Sequence, residues 1–220
     1  MTDFRPGRGL AAGQFTDDTQ MTLCIAESLV EHGEFVPEDV ARRFVEWLSY
    51  GRGKGRTCTL AVLNLRRGKS WRESGLFSAG NGSAMRAAPI GLFYHRDYPA
   101  LKQAAIDSSR ITHTDPMALA GTVAVAFSVA YCLNHPQDFE VGAYIQELTD
   151  FIGDLSERMA ERIRVLPGYL SEDPAQVLNR LHPTAFVLES LPAAIYCFIR
   201  SPYDFAETVL TAVSYTHLTL

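Results

Sequence analysis

Eighteen consecutive residues, Pro116 to Leu133, carry no charge. A run of this kind has two physical outcomes, a helix in lipid or a helix surrounded by protein. Its length is at the lower edge for spanning a bilayer, it is rich in Ala, Gly, Ser and Thr, and Asp115 and His135 bracket it. The whole chain is 47% apolar and 20% charged, an ordinary globular balance. The run is therefore read as a central helix buried on all sides, and no membrane partner is expected.

The rest of the sequence is punctuated for helices, while strand-like alternation is nearly absent, so the fold class is all-α. Asp17 to His32 begins with two carboxylates, where the helix dipole favours them, and stops at Gly33. Pro37 suits a first helical position, with Val40, Phe44, Trp47 and Leu48 at helical spacing and Gly51 as the expected stop. Further helices are expected at about 57–67, 83–94, 98–110, 115–134, 138–164, 174–181, 184–200 and 203–213. No linker divides the chain, so residues 1–213 are read as a single domain.

Charge and cysteine usage exclude several functions. A net charge of −5 offers no footprint for nucleic acid, whose affinity comes largely from phosphate neutralisation. Cys24, Cys58, Cys132 and Cys197 form no CxxC pair and read as buried, reduced thiols. The polar first residues have no apolar core of a secretory signal, so a cytoplasmic location is the expectation.

Three clusters concentrate the chemistry. Thr16, Asp17 and Asp18 place three hard oxygen donors side by side at a loop-to-helix junction. Such a run can supply part of a magnesium site, and it serves equally well as a helix start with Thr16 as N-cap. Phe77-Ser78-Ala79-Gly80-Asn81-Gly82 precedes Ser83-Ala84-Met85-Arg86 and an apolar helical run. Backbone amides in a glycine turn ahead of a helix can hold a diphosphate, and the alternative is a tight turn with Asn81 left-handed. The turn is not GxGxxG, because Met85 occupies the third glycine position. Gly51 to Thr57 lacks the spacing and lysine of a P-loop and reads as a plain loop.

The third cluster is Ile111-Thr112-His113-Thr114-Asp115-Pro116, just ahead of the uncharged run. Asp115 and Pro116 are a routine N-cap and N1 pair, and His113 is either a structural donor or a ligand. Arg86 is expected to pair with a buried carboxylate, and Glu189, among apolar neighbours, to be functional or paired.

Taken in order, Phe15 to Met21, Gly80 to Arg86 and Thr112-His113 resemble the ADP-ribosylglycohydrolase family, from residue 1 to about residue 213, including Pro89-Ile90-Gly91-Leu92. The resemblance implies a compact orthogonal bundle of helices around two magnesium ions. It implies hydrolysis of the glycosidic bond joining ADP-ribose to a protein side chain or a small acceptor. Thr16, Asp17 and Asp18 match the family's first metal motif. Phe77, Ser78, Ala79, Gly80, Asn81 and Gly82 match the ADP-ribose loop, and His113 matches a substrate-contacting histidine. The substrate expected is thus an ADP-ribosylated protein or a small ADP-ribosyl compound. The alternative is a non-catalytic ADP-ribose-binding or structural member of the same fold.

Two departures accompany the resemblance. The family carries a Gly-Asp and a catalytic glutamate ahead of the Phe4 region, and Gly-Gly-Asp-Thr-Asp-Thr after a helix like Phe205 to Val213. This sequence has neither, and no catalytic residue is assigned. Residues 214–220 read as a non-native tail, so a fragment truncated at both ends is expected.

Overall fold

The computed structural model describes residues 10–216. Their regular structure is helical, with twelve α-helices, two short 3-10 segments and no β-strand among the described residues. The first helices are α1 (Asp17–His32), α2 (Pro37–Trp47), α3 (Arg56–Arg66) and α4 (Trp71–Ser74). Next come α5 (Ala88–Phe93), α6 (Tyr98–Arg110), α7 (Pro116–Asn134) and α8 (Val141–Ile152). The chain continues with α9 (Glu157–Arg164), α10 (Pro174–Leu181), α11 (Val187–Arg200) and α12 (Phe205–Thr216). Residues 1–9, and residues 217–220 of the expected tail, lie outside the described residues, while 214–216 continue α12.

The uncharged run is the core helix α7. By length and composition it could cross a membrane, but 61% of its apolar window is buried inside the protein, packed against α5, α6, α8 and α11. Asp115 caps it, accepting the Met117 amide at 2.8 Å. Ala118, Ala120, Val123, Ala124, Ala126 and Ala130 are all fully buried, because small side chains let neighbouring helices approach from several directions. Phe127 packs its ring on Tyr98, Tyr131 and Phe151 at 5.4, 5.9 and 5.0 Å between centroids, tying α6 and α8 to α7.

Several expectations are corrected. The helix expected over 138–164 is two helices: the chain turns after Ile152, and Ser156 Oγ restarts it by accepting the Met159 amide at 3.2 Å. The turn lets both apolar faces, Tyr144–Ile145–Leu148–Ile152 and Met159–Ala160–Ile163, reach the core. The helix expected over 83–94 is a 3-10 turn, Ala84–Arg86, followed by the six-residue α5 with Pro89 in its first turn. Proline lacks an amide and clashes with the turn before it, so a continuous helix is broken there. The four-residue α4 is too short to show a period and has no counterpart in the sequence reading. Of the four free cysteines Cys24, Cys58 and Cys197 are buried, but Cys132 is only half-buried.

Candidate functional site

At the start of α1 the three oxygen-bearing residues make a compact donor group. Thr16 stands at the N-cap position, but its side chain takes no helix amide; its Oγ1 donates to Asp18 Oδ2 at 3.0 Å instead. Asp17 is buried at 7% exposure, and its Oδ2 accepts the Gly55 amide at 3.1 Å. Burial raises the Asp17 pKa, the Asp18 charge adds to the rise, and the Gly55 hydrogen bond opposes it. No Lys or Arg pairs with Asp17 among the described residues. A desolvated carboxylate beside a second carboxylate and a hydroxyl, without a countercharge, fits a hard divalent cation.

A second acidic group, Glu31, His32 and Asp39, brings its ligand atoms within 4.8 Å of one another, yet differs electrostatically. Arg43 pairs with Asp39 at 2.7 Å, with Glu27 at 2.8 Å and with Glu31. Arg43 and Arg42, both hydrogen-bonded to it, hold the Asp39 carboxyl well below its usual range, against the opposing effect of burial. The guanidinium groups already occupy the place a cation would take.

The Phe77–Gly82 turn is strapped at both ends by isolated bridges. Leu76 donates to Thr112 O and accepts from the Thr114 amide, both at 3.0 Å. On the other side the Asn81 amide donates to Ala185 O at 3.0 Å and the Val187 amide to Ala79 O at 2.9 Å. These bonds hold Phe186 extended in a bridge with Gly80, which is why α11 starts at Val187 and not at 184. Asn81 Nδ2 adds a bond to Ser190 Oγ at 3.1 Å. Asn81 is not left-handed; His182 is the non-glycine residue with positive φ among the described residues. Within the turn the Gly80 amide reaches Ser78 Oγ at 3.3 Å, and the Phe77 side chain projects outward, 80% exposed.

Behind the turn lies a buried polar cluster. His113 is 1% exposed; burial, then the charge of Arg86, pushes its pKa down to about 3. Arg86 is fully buried and pairs with no carboxylate, contrary to expectation. It donates to Gly82 O (3.1 Å), Ser108 O (2.9 Å) and Thr112 Oγ1 (2.8 Å), and its guanidinium lies 4.7 Å from the Phe44 ring centroid. A ring of carbonyls, a hydroxyl and an aromatic face replaces the expected carboxylate. Glu189 is paired, accepting from Thr184 Oγ1.

The Gly51–Thr57 segment joins these pieces and is no plain loop. Arg52 stacks on Phe15 and donates to its carbonyl at 2.9 Å, and Gln20 Oε1 accepts the Arg52 amide at 2.9 Å. Gly55 holds Asp17, and two residues later Thr57 Oγ1 lies 3.2 Å from Ser78 Oγ. Cys58 Sγ would stand 2.8 Å from a Cβ on Gly82. The start of α3 thus seats the acidic junction on one side and the glycine turn on the other. The signal in sequence is a hydroxyl residue directly after a glycine-rich stretch at a helix start. A cleft of about 450 Å³ lies on the α11 side of the turn, lined by Asn81, Thr184, Ser190 and Cys197 among others; a smaller one of about 230 Å³, lined by Phe15, Gln20 and Arg52, flanks the acidic junction.

The chain is similar in sequence and in fold to known proteins. The sequence model of the family described as ADP-ribosylglycohydrolase matches residues 1–217. The chain is 35% identical to an uncharacterized protein of Archaeoglobus fulgidus, over 96% of this chain and 70% of that one. It is 30% identical to the ADP-ribosylhydrolase ARH3 of Gallus gallus (84% of this chain, 58% of that one). It is 26% identical to the ADP-ribosylarginine hydrolase Tri1 of Pseudomonas putida (93% and 54%). The chain therefore spans little more than half the length of the named hydrolases. A solved structure titled ADP-ribosylglycohydrolase-related protein complex superposes with a TM-score of 0.68 at 27% identity, covering 99% of this chain and 75% of that one.

Proposed function

Since the chain belongs to the ADP-ribosylglycohydrolase family, we propose that it carries the metal and diphosphate-binding part of a magnesium-dependent hydrolase. The bond cleaved joins ADP-ribose to a modified protein side chain or a small acceptor. One observation carries this reading: Asp17 and Ser78 are bonded to Gly55 and Thr57, two residues apart at the start of one helix. Cation ligands and pyrophosphate cradle are thereby held on neighbouring walls.

In this reading Thr16, Asp17 and Asp18 hold the cation, which when bound supplies positive charge and orientation at the anomeric carbon. Gly55 keeps Asp17 aimed by holding one of its oxygens. The Asn81 amide is engaged with Ala185, so other amides of the Phe77–Gly82 turn take the diphosphate. The half-buried turn excludes water from one side of the ligand. Binding there, remote from the anomeric carbon, fixes the geometry at that carbon, where an oxocarbenium-like state develops during cleavage.

The test is release of free ADP-ribose from an ADP-ribosylated protein with and without magnesium, beside calorimetric titration with ADP-ribose. Magnesium-dependent release supports the hydrolase. Binding without turnover supports a non-catalytic ADP-ribose module, and absence of both removes the reading.

A further inference from the structure

We infer that Arg86 and Thr112 are positioning residues that fix His113 as the Nε2–H tautomer, presenting a neutral hydrogen-bond donor to an oxygen of the bound ADP-ribosyl group beside Gly80 and Gly82. This rests on the reading of His113 as a residue that touches substrate; the tautomer and the residues that set it are the addition.

Donors and acceptors around Thr112 Oγ1 fix the tautomer. Thr112 is fully buried, and its Oγ1 has two partners, Arg86 Nη2 at 2.8 Å and His113 Nδ1 at 2.8 Å. A guanidinium nitrogen can only donate, so Thr112 Oγ1 is the acceptor in the first bond. Its own hydrogen then goes to His113 Nδ1. The reverse arrangement has Nδ1–H and Nη2–H both donating to Oγ1, which leaves the hydroxyl hydrogen of the fully buried Thr112 without an acceptor among the described residues. With Nδ1 an acceptor, the neutral ring carries its proton on Nε2. Double protonation is opposed by the same burial and by the Arg86 charge.

The open end of the ring faces the turn. A Cβ at Gly80 would stand 3.3 Å from His113 Nε2, and one at Gly82 would stand 3.4 Å from it. Side chains at those positions would crowd the donor, and glycines leave it clear. Nε2 has no hydrogen-bond partner among the described residues. Arg86 binds both Gly82 O and Thr112 Oγ1, so one guanidinium fixes the turn and the ring relative to each other.

Long-range ¹H–¹⁵N spectra of protein labelled in its histidine rings, with His113 assigned among the six histidines by comparison with His113→Gln, read the tautomer directly. Wild type is expected to show Nε2 protonated and Nδ1 bare at neutral pH. A protonated Nδ1 or a tautomer mixture overturns the inference. Thr112→Val, similar in shape but without the hydroxyl, is expected to lose the Nε2–H signature and to weaken ADP-ribose binding about tenfold, the scale of one hydrogen bond. Thr112→Ser is expected to restore both, and a retained signature in a folded Thr112→Val overturns the relay. If Thr112→Val does not fold, the wild-type spectrum decides alone. An Nε2–H ring in a protein that does not bind ADP-ribose leaves the relay standing and removes the proposed function. Binding with an Nδ1–H ring does the opposite.

Discussion

Thr57 Oγ1 lies 3.2 Å from Ser78 Oγ, and this contact links the glycine turn to the helix start that also holds Asp17. Each hydroxyl contributes about 1 kcal/mol through such a bond. Thr57→Val and Ser78→Ala should therefore each destabilise by roughly that amount, with a coupling of about 0.5–1 kcal/mol in a double-mutant cycle. Urea denaturation of the four proteins measures it, and strictly additive effects would show that the two side chains do not communicate.

Asp17 should trade stability for metal affinity. Its pKa is raised above the usual value of 3.8, so the stability this group contributes is present below that value and is lost as pH rises through its folded pKa. At neutral pH the ionised carboxylate therefore weakens the metal-free protein. Asp17→Asn should raise the melting temperature in chelator and abolish the rise produced by magnesium. Thermal scans with and without magnesium check both halves, and a variant with an undiminished magnesium response would remove Asp17 from the ligand set.

His113 gives a pH signature of the opposite sense. The folded protein holds its pKa at about 3 against an ordinary 6.5, so the unfolded chain binds the extra proton between those values. Stability from this group is complete above pH 6.5 and falls as pH drops toward 3, with a slope of up to about 1.4 kcal/mol per pH unit. His113→Gln should flatten this part of the curve. Denaturant titrations between pH 4.5 and 7 follow the slope.

Helix α5 touches α7 where Gly91 meets backbone: a Cβ there would lie 2.3 Å from Ala126 O. A carbonyl within a packed helix cannot swing aside, so Gly91→Ala should destabilise by about 1–3 kcal/mol. Gly168 has nothing within 4 Å and no positive φ, so Gly168→Ala should be neutral or stabilise by up to about 1 kcal/mol. Thermal unfolding of the pair separates a steric effect from loss of a glycine as such. Equal melting temperatures would contradict the close approach.

The starts of α6, α7 and α10 were legible in the sequence because their determinants are local. Asp97, Asp115 and Asp173 each accept an amide two or three residues on, at 3.0, 2.8 and 3.2 Å, and a following proline marks the same place. The break at Gly153–Ser156 was not legible, since both flanking segments carry helical periods and the core alone decides that they must fold back. Thr16 illustrates a shared signal: its hydroxyl suits a cap, yet it bonds to Asp18.

The linear order of residues determined the helical class, the buried character of α7 and the identity of the three polar clusters, because side-chain size, charge and capping act within a few positions. Tertiary structure decided how the clusters meet. Gly55 reaches Asp17 across 38 positions, Thr57 reaches Ser78 across 21 and Arg86 reaches Thr112 across 26. Bonds of that span form once helix packing has excluded water and brought distant backbone into register, which no local pattern encodes.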